Sequence, residues 1–243
     1  MKATIYYVLT FMLACTTSSA MAADKYQKQR QEMMAAITAE VENTASHLDG
    51  EQLEPGVLKA LQETPRHEFV PPSQRKHAYE NRPLPIGHGQ TISQPYIVAI
   101  MTDLMNLEPG DQVLEVGTGS GYQAAIASQL VDKVYTIEII EPLGKAARKR
   151  LKRLGHDNIE VRLGDGYYGW EEHAPFDAII VTAAASHVPP PLIRQLKPGG
   201  RLIVPVGSRF MMQQLLLVEK DSKGEIHTRQ VLPVRFVPLT GRH

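Results

Sequence analysis

Cysteine and tryptophan are nearly missing, one of each in 243 residues, and net charge is missing altogether, with 26 Lys+Arg against 26 Asp+Glu. A lone Cys15 excludes an internal disulfide and a cysteine-built zinc site. Charge balance excludes the basic excess that releases counterions from phosphates, so no nucleic-acid partner is expected. No apolar run reaches the roughly 20 residues that span a bilayer, so no stable membrane association is expected of the mature chain. Internal repeats and low-complexity runs are absent as well. What is present is ordinary globular composition, 43% hydrophobic and 21% charged. Such a chain can bury enough apolar surface to offset its ordering entropy.

Residues 1–22 combine Lys2, an apolar run Ile5–Ala14 and the triplet Ala20-Met21-Ala22. A positive start, a short apolar stretch and an A-x-A site are the parts of a secretory signal peptide, which implies a periplasmic or exported protein. Its removal would take away Lys2 and Cys15, leaving a mature chain of net charge −1 without cysteine. The remainder, 23–243, reads as one domain: a helical, substrate-side segment 23–107 and a core 108–243 that carries the ligand.

Within the first segment, Met33, Met34, Ile37 and Val41 recur at roughly helical spacing, which predicts an amphipathic helix over Asp24–Leu48 that lids a cleft or packs on a sheet. A short helix Val57–Gln62 precedes Pro65, and Pro95–Leu107 reads as another, started near Ser93 or Gln94 and ended by Pro109-Gly110. Between them Arg66–Gly89 is rich in proline and reads as an irregular connector. From Gln112 onward, short β-branched runs alternate with helical stretches. Strands are expected at Val113–Val116, Lys133–Ile139, Ile159–Leu163, Phe176–Val181 and Arg201–Val206, and helices at Tyr122–Leu130, Pro142–Leu154 and Pro191–Leu196. That alternation predicts a doubly wound, mostly parallel α/β sheet with helices on both faces. Gln213–Glu219 and Gln230–Val237, with a turn at Gly224, predict a closing antiparallel hairpin.

The run Val113-Leu114-Glu115-Val116-Gly117-Thr118-Gly119-Ser120-Gly121-Tyr122 sits where the first strand turns into its helix. In a doubly wound sheet, ligands bind at this carboxyl edge. A dinucleotide fold wants G-x-G-x-x-G with a pyrophosphate on the helix N-terminus. Here the spacing is G-x-G-x-G, Tyr122 stands where the third glycine would fall, and Glu115 precedes the loop. A carboxylate there repels a pyrophosphate but suits a ligand with an ammonium and a sulfonium, which points to S-adenosylmethionine. Glu138 ends the second strand 21 residues after Gly117 and is placed to accept both ribose hydroxyls of an adenosine. Asp165, in Gly164-Asp165-Gly166 after the third strand, is placed to meet an adenine amino group. No G-x-S-x-G elbow, H-E-x-x-H pair or metal-ligand cluster is found, so no metal is expected.

Several segments together resemble the protein-L-isoaspartate (D-aspartate) O-methyltransferase family: Arg66-His67-Glu68-Phe69-Val70-Pro71, Pro85–Pro95 with its core Gly89-Gln90-Thr91-Ile92-Ser93-Gln94-Pro95, Leu114–Tyr122, Gly164–Gly166 and Leu196–Leu202. The G-Q-T-I-S-Q-P segment is the most particular to that family. The resemblance implies a class I, Rossmann-like fold and methyl transfer from S-adenosylmethionine to the α-carboxylate of isoaspartyl residues in damaged proteins and peptides, with D-aspartyl acceptance left open. The ester then closes to a succinimide. It also implies Ser93 as the active-site residue and Thr91, Ile92, Glu115, Gly117, Gly119, Glu138, Asp165, Gly166 and Thr240 around the cofactor. An acceptor carboxylate is already ionised near neutral pH, so no general base is needed. Ser93 is then expected to hydrogen-bond that carboxylate, or merely to cap the following helix. Ala183–Ala185 would line the substrate cleft, His88 reads as a surface histidine, and a monomer is the default. Alternatives are a methyltransferase for another small-molecule or protein acceptor and an NAD-dependent oxidoreductase.

Overall fold

The computed structural model describes residues 25–48, 50, 52–208 and 211–241, and the proposed leader 1–22 lies outside them. Among the described residues no helix is long and apolar enough to cross a membrane. Among the described residues are six α-helices: α1 (Gln27–Thr44), α2 (Pro55–Glu63), α3 (Pro95–Leu104), α4 (Tyr122–Ala127), α5 (Glu141–Arg153) and α6 (Pro190–Gln195). Nine strands accompany them: β1 (Leu84–Gly87), β2 (Gln90–Ile92), β3 (Gln112–Val116), β4 (Lys133–Glu138), β5 (Ile159–Leu163), β6 (Phe176–Val181), β7 (Leu196–Val206), β8 (Gln213–Lys220) and β9 (Ile226–Val234).

Seven strands form one sheet in the order β5-β4-β3-β6-β7-β8-β9. β3 to β7 run parallel, while β8 pairs antiparallel with both β7 and β9. The chain leaves β3 toward β4 on one side and later returns to β6 on the other, so the carboxyl end of β3 is the topological switch point where such sheets bind ligands. Alternation along each strand splits the core. Val113, Val134, Ala178 and Ile203 pack with α1 to α4, whereas Leu114, Tyr135, Ile179 and Leu202 pack with Trp170, Leu192 and Leu196 on the opposite face.

Several boundaries depart from the sequence expectation for identifiable reasons. The connector Arg66–Gly89 is not wholly irregular. Leu84–Gly87 pairs antiparallel with Gln90–Ile92. His88 and Gly89, the two central residues, both have positive φ (54° and 72°), the backbone that a two-residue hairpin turn requires. The flanking prolines Pro83 and Pro85 obscure this signal. Helix α3 stops at Leu104 because Asn106 adopts φ 50°. Helix α4 stops at Ala127, where the Ser128 hydroxyl donates to the Ala125 carbonyl at 3.0 Å and Asn158 Nδ2 donates to the Ser128 carbonyl at 2.8 Å. Strand β7 begins at Leu196 and takes in Lys197–Gly200, with a register shift against β6. Strand β9 ends at Val234, and the chain beyond it leaves the ladder to run beside Ala184. Helix α1 packs through Met33, Ile37 and Val41 against α2 and α3 rather than on the sheet.

Candidate active site

The cavity at the carboxyl end of β3 brings together nine of the ten residues singled out from sequence: Thr91, Ile92, Ser93, Glu115, Gly117, Gly119, Glu138, Gly166 and Thr240. Asp165 is the exception. It is not part of the cavity wall, and one carboxylate oxygen caps a short 3-10 turn by accepting the Tyr167 N–H at 3.1 Å.

The glycine turn is held from both sides. The Gly117 and Thr118 N–H groups donate to the Ile137 carbonyl at the end of β4 (2.9 and 3.2 Å). From the β6 side, the Thr182 hydroxyl donates to the Gly117 carbonyl at 2.6 Å. Gly117 has φ 101°, and a Cβ there would lie 2.4 Å from Thr182 Oγ1, so only glycine fits. Thr182 carries no sequence signal, because the reason for a threonine is a carbonyl 65 positions away.

Two carboxylates face this turn in contrasting environments. Glu138 accepts the Gly119 N–H through Oε2 at 2.7 Å and the Ile140 N–H through Oε1 at 2.8 Å. Each oxygen keeps a lone pair for a further donor. Glu115 is buried at 1% exposure. Its Oε2 accepts from the Thr136 hydroxyl, whose oxygen lies 2.6 Å from that of Thr118, while Oε1 lacks a well-formed hydrogen bond, the Ala124 N–H being its backbone neighbour. Burial raises the Glu115 pKa to about 8, the Thr136 bond opposes the rise, and the Glu138 charge adds to it. An unmatched carboxylate oxygen beside a glycine turn is an unfilled acceptor site for a cationic or hydrogen-bond-donating ligand.

The acceptor side is assembled from loops. Ser93 follows β2 and lines both this cavity and a neighbouring one of about 600 Å³, which reaches Glu40, Thr44 and His47 of the α1 region and Arg235 beyond β9. Ser93 is not the cap of α3. That position belongs to Gln94, and no side chain caps the helix. The Ser93 carbonyl accepts from Nη2 of the buried Arg66 at 2.6 Å. Gln94 Nε2 donates to Glu40 Oε2 at 3.1 Å, and Asn81 Nδ2 donates to the same oxygen at 2.6 Å. Glu40, Asn81 and Arg66 are therefore site-supporting residues to which sequence reading gave no role. The chain after β9 is tied down by buried Gln213, which accepts the Phe236 N–H at 2.6 Å and donates to the Phe236 carbonyl at 3.1 Å. The Ala184 N–H donates to the Val237 carbonyl at 2.8 Å and the Leu239 N–H to the Ala184 carbonyl at 2.7 Å, which brings Thr240 to the rim. Ala183 lines the cavity. His88 is exposed at the hairpin tip, outside it.

Comparison with known proteins agrees with this geometry. Residues 42–243 match the family described as Protein-L-isoaspartate(D-aspartate) O-methyltransferase (PCMT). A Cupriavidus necator protein named Protein-L-isoaspartate O-methyltransferase 1 is 61% identical over 97% of this chain and 91% of its own length. A Syntrophobacter fumaroxidans protein named Protein-L-isoaspartate O-methyltransferase 2 is 57% identical over 100% of this chain and 99% of its own. Among solved structures, a Plasmodium falciparum protein-L-isoaspartate O-methyltransferase in complex with S-adenosyl-L-homocysteine superposes with a TM-score of 0.69 at 26% identity, covering 84% of this chain and 97% of that one. With the family match covering most of its length and a 61% identical relative, this chain belongs to the protein-L-isoaspartate (D-aspartate) O-methyltransferase family.

Proposed function

We propose that this protein is a repair methyltransferase that esterifies the α-carboxylate of L-isoaspartyl residues in damaged proteins and peptides, using S-adenosylmethionine. The carrying observation is a cavity shared by the Gly117–Gly121 turn and Ser93, with no general base required at its centre. The residues fit the cofactor. Glu138 has free acceptor capacity for two ribose hydroxyls, the Gly117 turn leaves room for close backbone approach, and the unmatched Glu115 oxygen suits an amino group. When bound, S-adenosylmethionine supplies an electrophilic methyl group on a sulfonium.

The protein's own part is alignment and desolvation. An isoaspartyl α-carboxylate is a weak but ionised nucleophile, so the gain comes from stripping water and holding one oxygen in line. The Ser93 hydroxyl is the side-chain donor for that oxygen. Pro238 and Leu239 of the C-terminal segment line the cavity together with Ala183 and give it an apolar wall.

The test pairs two peptides of identical sequence, one with isoaspartate and one with aspartate, incubated with labelled S-adenosylmethionine. Label on the first alone is expected. Equal labelling would transfer the protein to the class of methyltransferases with another acceptor.

The location is a separate proposal. The tripartite pattern of residues 1–22 supports export with cleavage after Ala22. N-terminal sequencing of protein recovered from the periplasmic fraction is expected to begin at Ala23, and a start at Met1 would refute it. A monomer is proposed on the absence of a coiled-coil pattern in the sequence, to be checked by light scattering.

A further inference from the structure

Arg66 opens the R-H-E-F-V-P segment and is 0% exposed, the largest fully buried side chain among the described residues. Buried guanidinium groups are ordinarily matched by a carboxylate, because an unpaired charge in the interior costs several kcal/mol. Here none is found. Nε donates to the Ala78 carbonyl at 2.8 Å, and Nη2 donates to the Ser93 carbonyl at 2.6 Å. Among the described residues no acidic side chain forms an ion pair with it. Nη1 and the neighbouring Tyr122 hydroxyl are both buried without a well-formed hydrogen bond. The guanidinium carbon lies 4.7 Å from the Tyr122 ring centroid. Burial pulls the Arg66 pKa below the ordinary arginine value and the tyrosines Tyr122 and Tyr79 oppose that, yet a guanidinium stays protonated at any working pH.

Its position gives this charge a use. Ser93, whose carbonyl it holds, lines both cavities, and Tyr122, whose ring it faces, lines the cavity of the glycine turn. The acids already lining that cavity, Glu138 with its charge and Glu115 held neutral by burial up to about pH 8, cannot welcome another anion. A fixed positive charge one residue behind the acceptor loop can, since attraction between separated charges persists where water is excluded.

Resting on the acceptor site proposed above, we infer that Arg66 is a positioning residue that also acts through its charge. It clamps the backbone at Ser93, and its unpaired guanidinium offsets the anionic acceptor as that carboxylate is desolvated. The balancing anion for this buried cation is thus the substrate. Because methyl transfer abolishes the acceptor's charge, the same field favours the substrate over its neutral ester product.

The inference is tested by binding rather than turnover. The protein is saturated with S-adenosylhomocysteine, and dissociation constants are measured for an isoaspartyl peptide and for the same peptide as its neutral α-carboxamide. Wild type is expected to prefer the carboxylate form. In Arg66→Met the preference should shrink about tenfold, with S-adenosylhomocysteine affinity within threefold of wild type, whereas Arg66→Lys should retain most of it. Equal weakening of both peptides in Arg66→Met would overturn the electrostatic role and leave a packing role only. If Arg66→Met does not fold, Arg66→Gln, which keeps a donor but not the charge, decides alone: a lost preference supports the inference and a retained one overturns it. Failure of wild type to distinguish isoaspartate from aspartate in the paired assay would instead strike the functional reading.

Discussion

Glu138 and Ser93 face the same cavity but are held in different ways. Glu138 ends a central parallel strand and is fixed by two backbone N–H groups, that of Gly119 in the glycine turn and that of Ile140 two positions on. Ser93 lies just past a two-stranded hairpin, and the residues that position its loop come from Arg66, Asn81 and α1. The strand-tip half is local and repetitive: one turn, one acid at each strand end, one sheet edge. The loop half is a web of contacts such as Gln94 to Glu40, 54 positions apart in the chain. Rigid placement of a shared cofactor suits the first plan, and fitting an acceptor suits the second, because loops can vary without disturbing the sheet.

This contrast can be broken at its strongest point first. Glu115 is neutral in the folded protein up to about pH 8 but ionises near its ordinary value when unfolded. The unfolded state therefore binds fewer protons in that window, and stability falls as pH rises through it, by roughly 1 kcal/mol per pH unit, levelling off above pH 8. Urea unfolding at pH 5, 6, 7 and 8 should show this slope in wild type and lose much of it in Glu115→Gln. Parallel slopes in the two proteins would deny Glu115 its buried, protonated state.

Next comes the cradle. Gly117→Ala combines a Cβ 2.4 Å from Thr182 Oγ1 with φ 101°, so S-adenosylhomocysteine affinity by calorimetry should drop by about 100-fold, or ~2.7 kcal/mol. Glu138→Ala should cost about 30-fold in the same assay, since charged acceptors are lost and the Gly119 and Ile140 N–H groups are left unmatched. On the acceptor side the effect should move to the other substrate. Ser93→Ala is expected to raise the peptide KM about tenfold with S-adenosylhomocysteine affinity within twofold, and with Tm nearly unchanged because Ser93 caps no helix. The smallest change is Glu40→Ala, which frees Asn81 and Gln94 and should raise the peptide KM roughly threefold. Should Glu40→Ala weaken cofactor binding more than peptide binding, the two halves are not independent.

The sheet was legible in the chain because a central strand buried on both faces writes an apolar run and an edge strand writes alternation, and Phe176–Val181 and Ile159–Leu163 match their strands residue for residue. The β1–β2 hairpin was not, since Pro83 and Pro85 mimic an irregular connector while the decisive feature is positive φ at His88 and Gly89. The cavity residues near Gly117 were legible as a local pattern. Asp165 lies outside that cavity wall, because an acid after a strand can also serve its own backbone, as it does toward Tyr167. Thr182, Glu40 and Gln213 were silent, for their partners are distant in sequence.

Taken by itself, the order of residues determined the sheet, the glycine turn and the acids beside it, since each is written within a few neighbouring positions by periodicity and backbone freedom. Tertiary structure alone decided that Asp165 turns to its own backbone, that Glu115 keeps its proton to about pH 8, and that Arg66 is buried without an anion behind Ser93. Those properties depend on which groups are excluded from water together, and desolvation is set by the packed whole rather than by any stretch of chain.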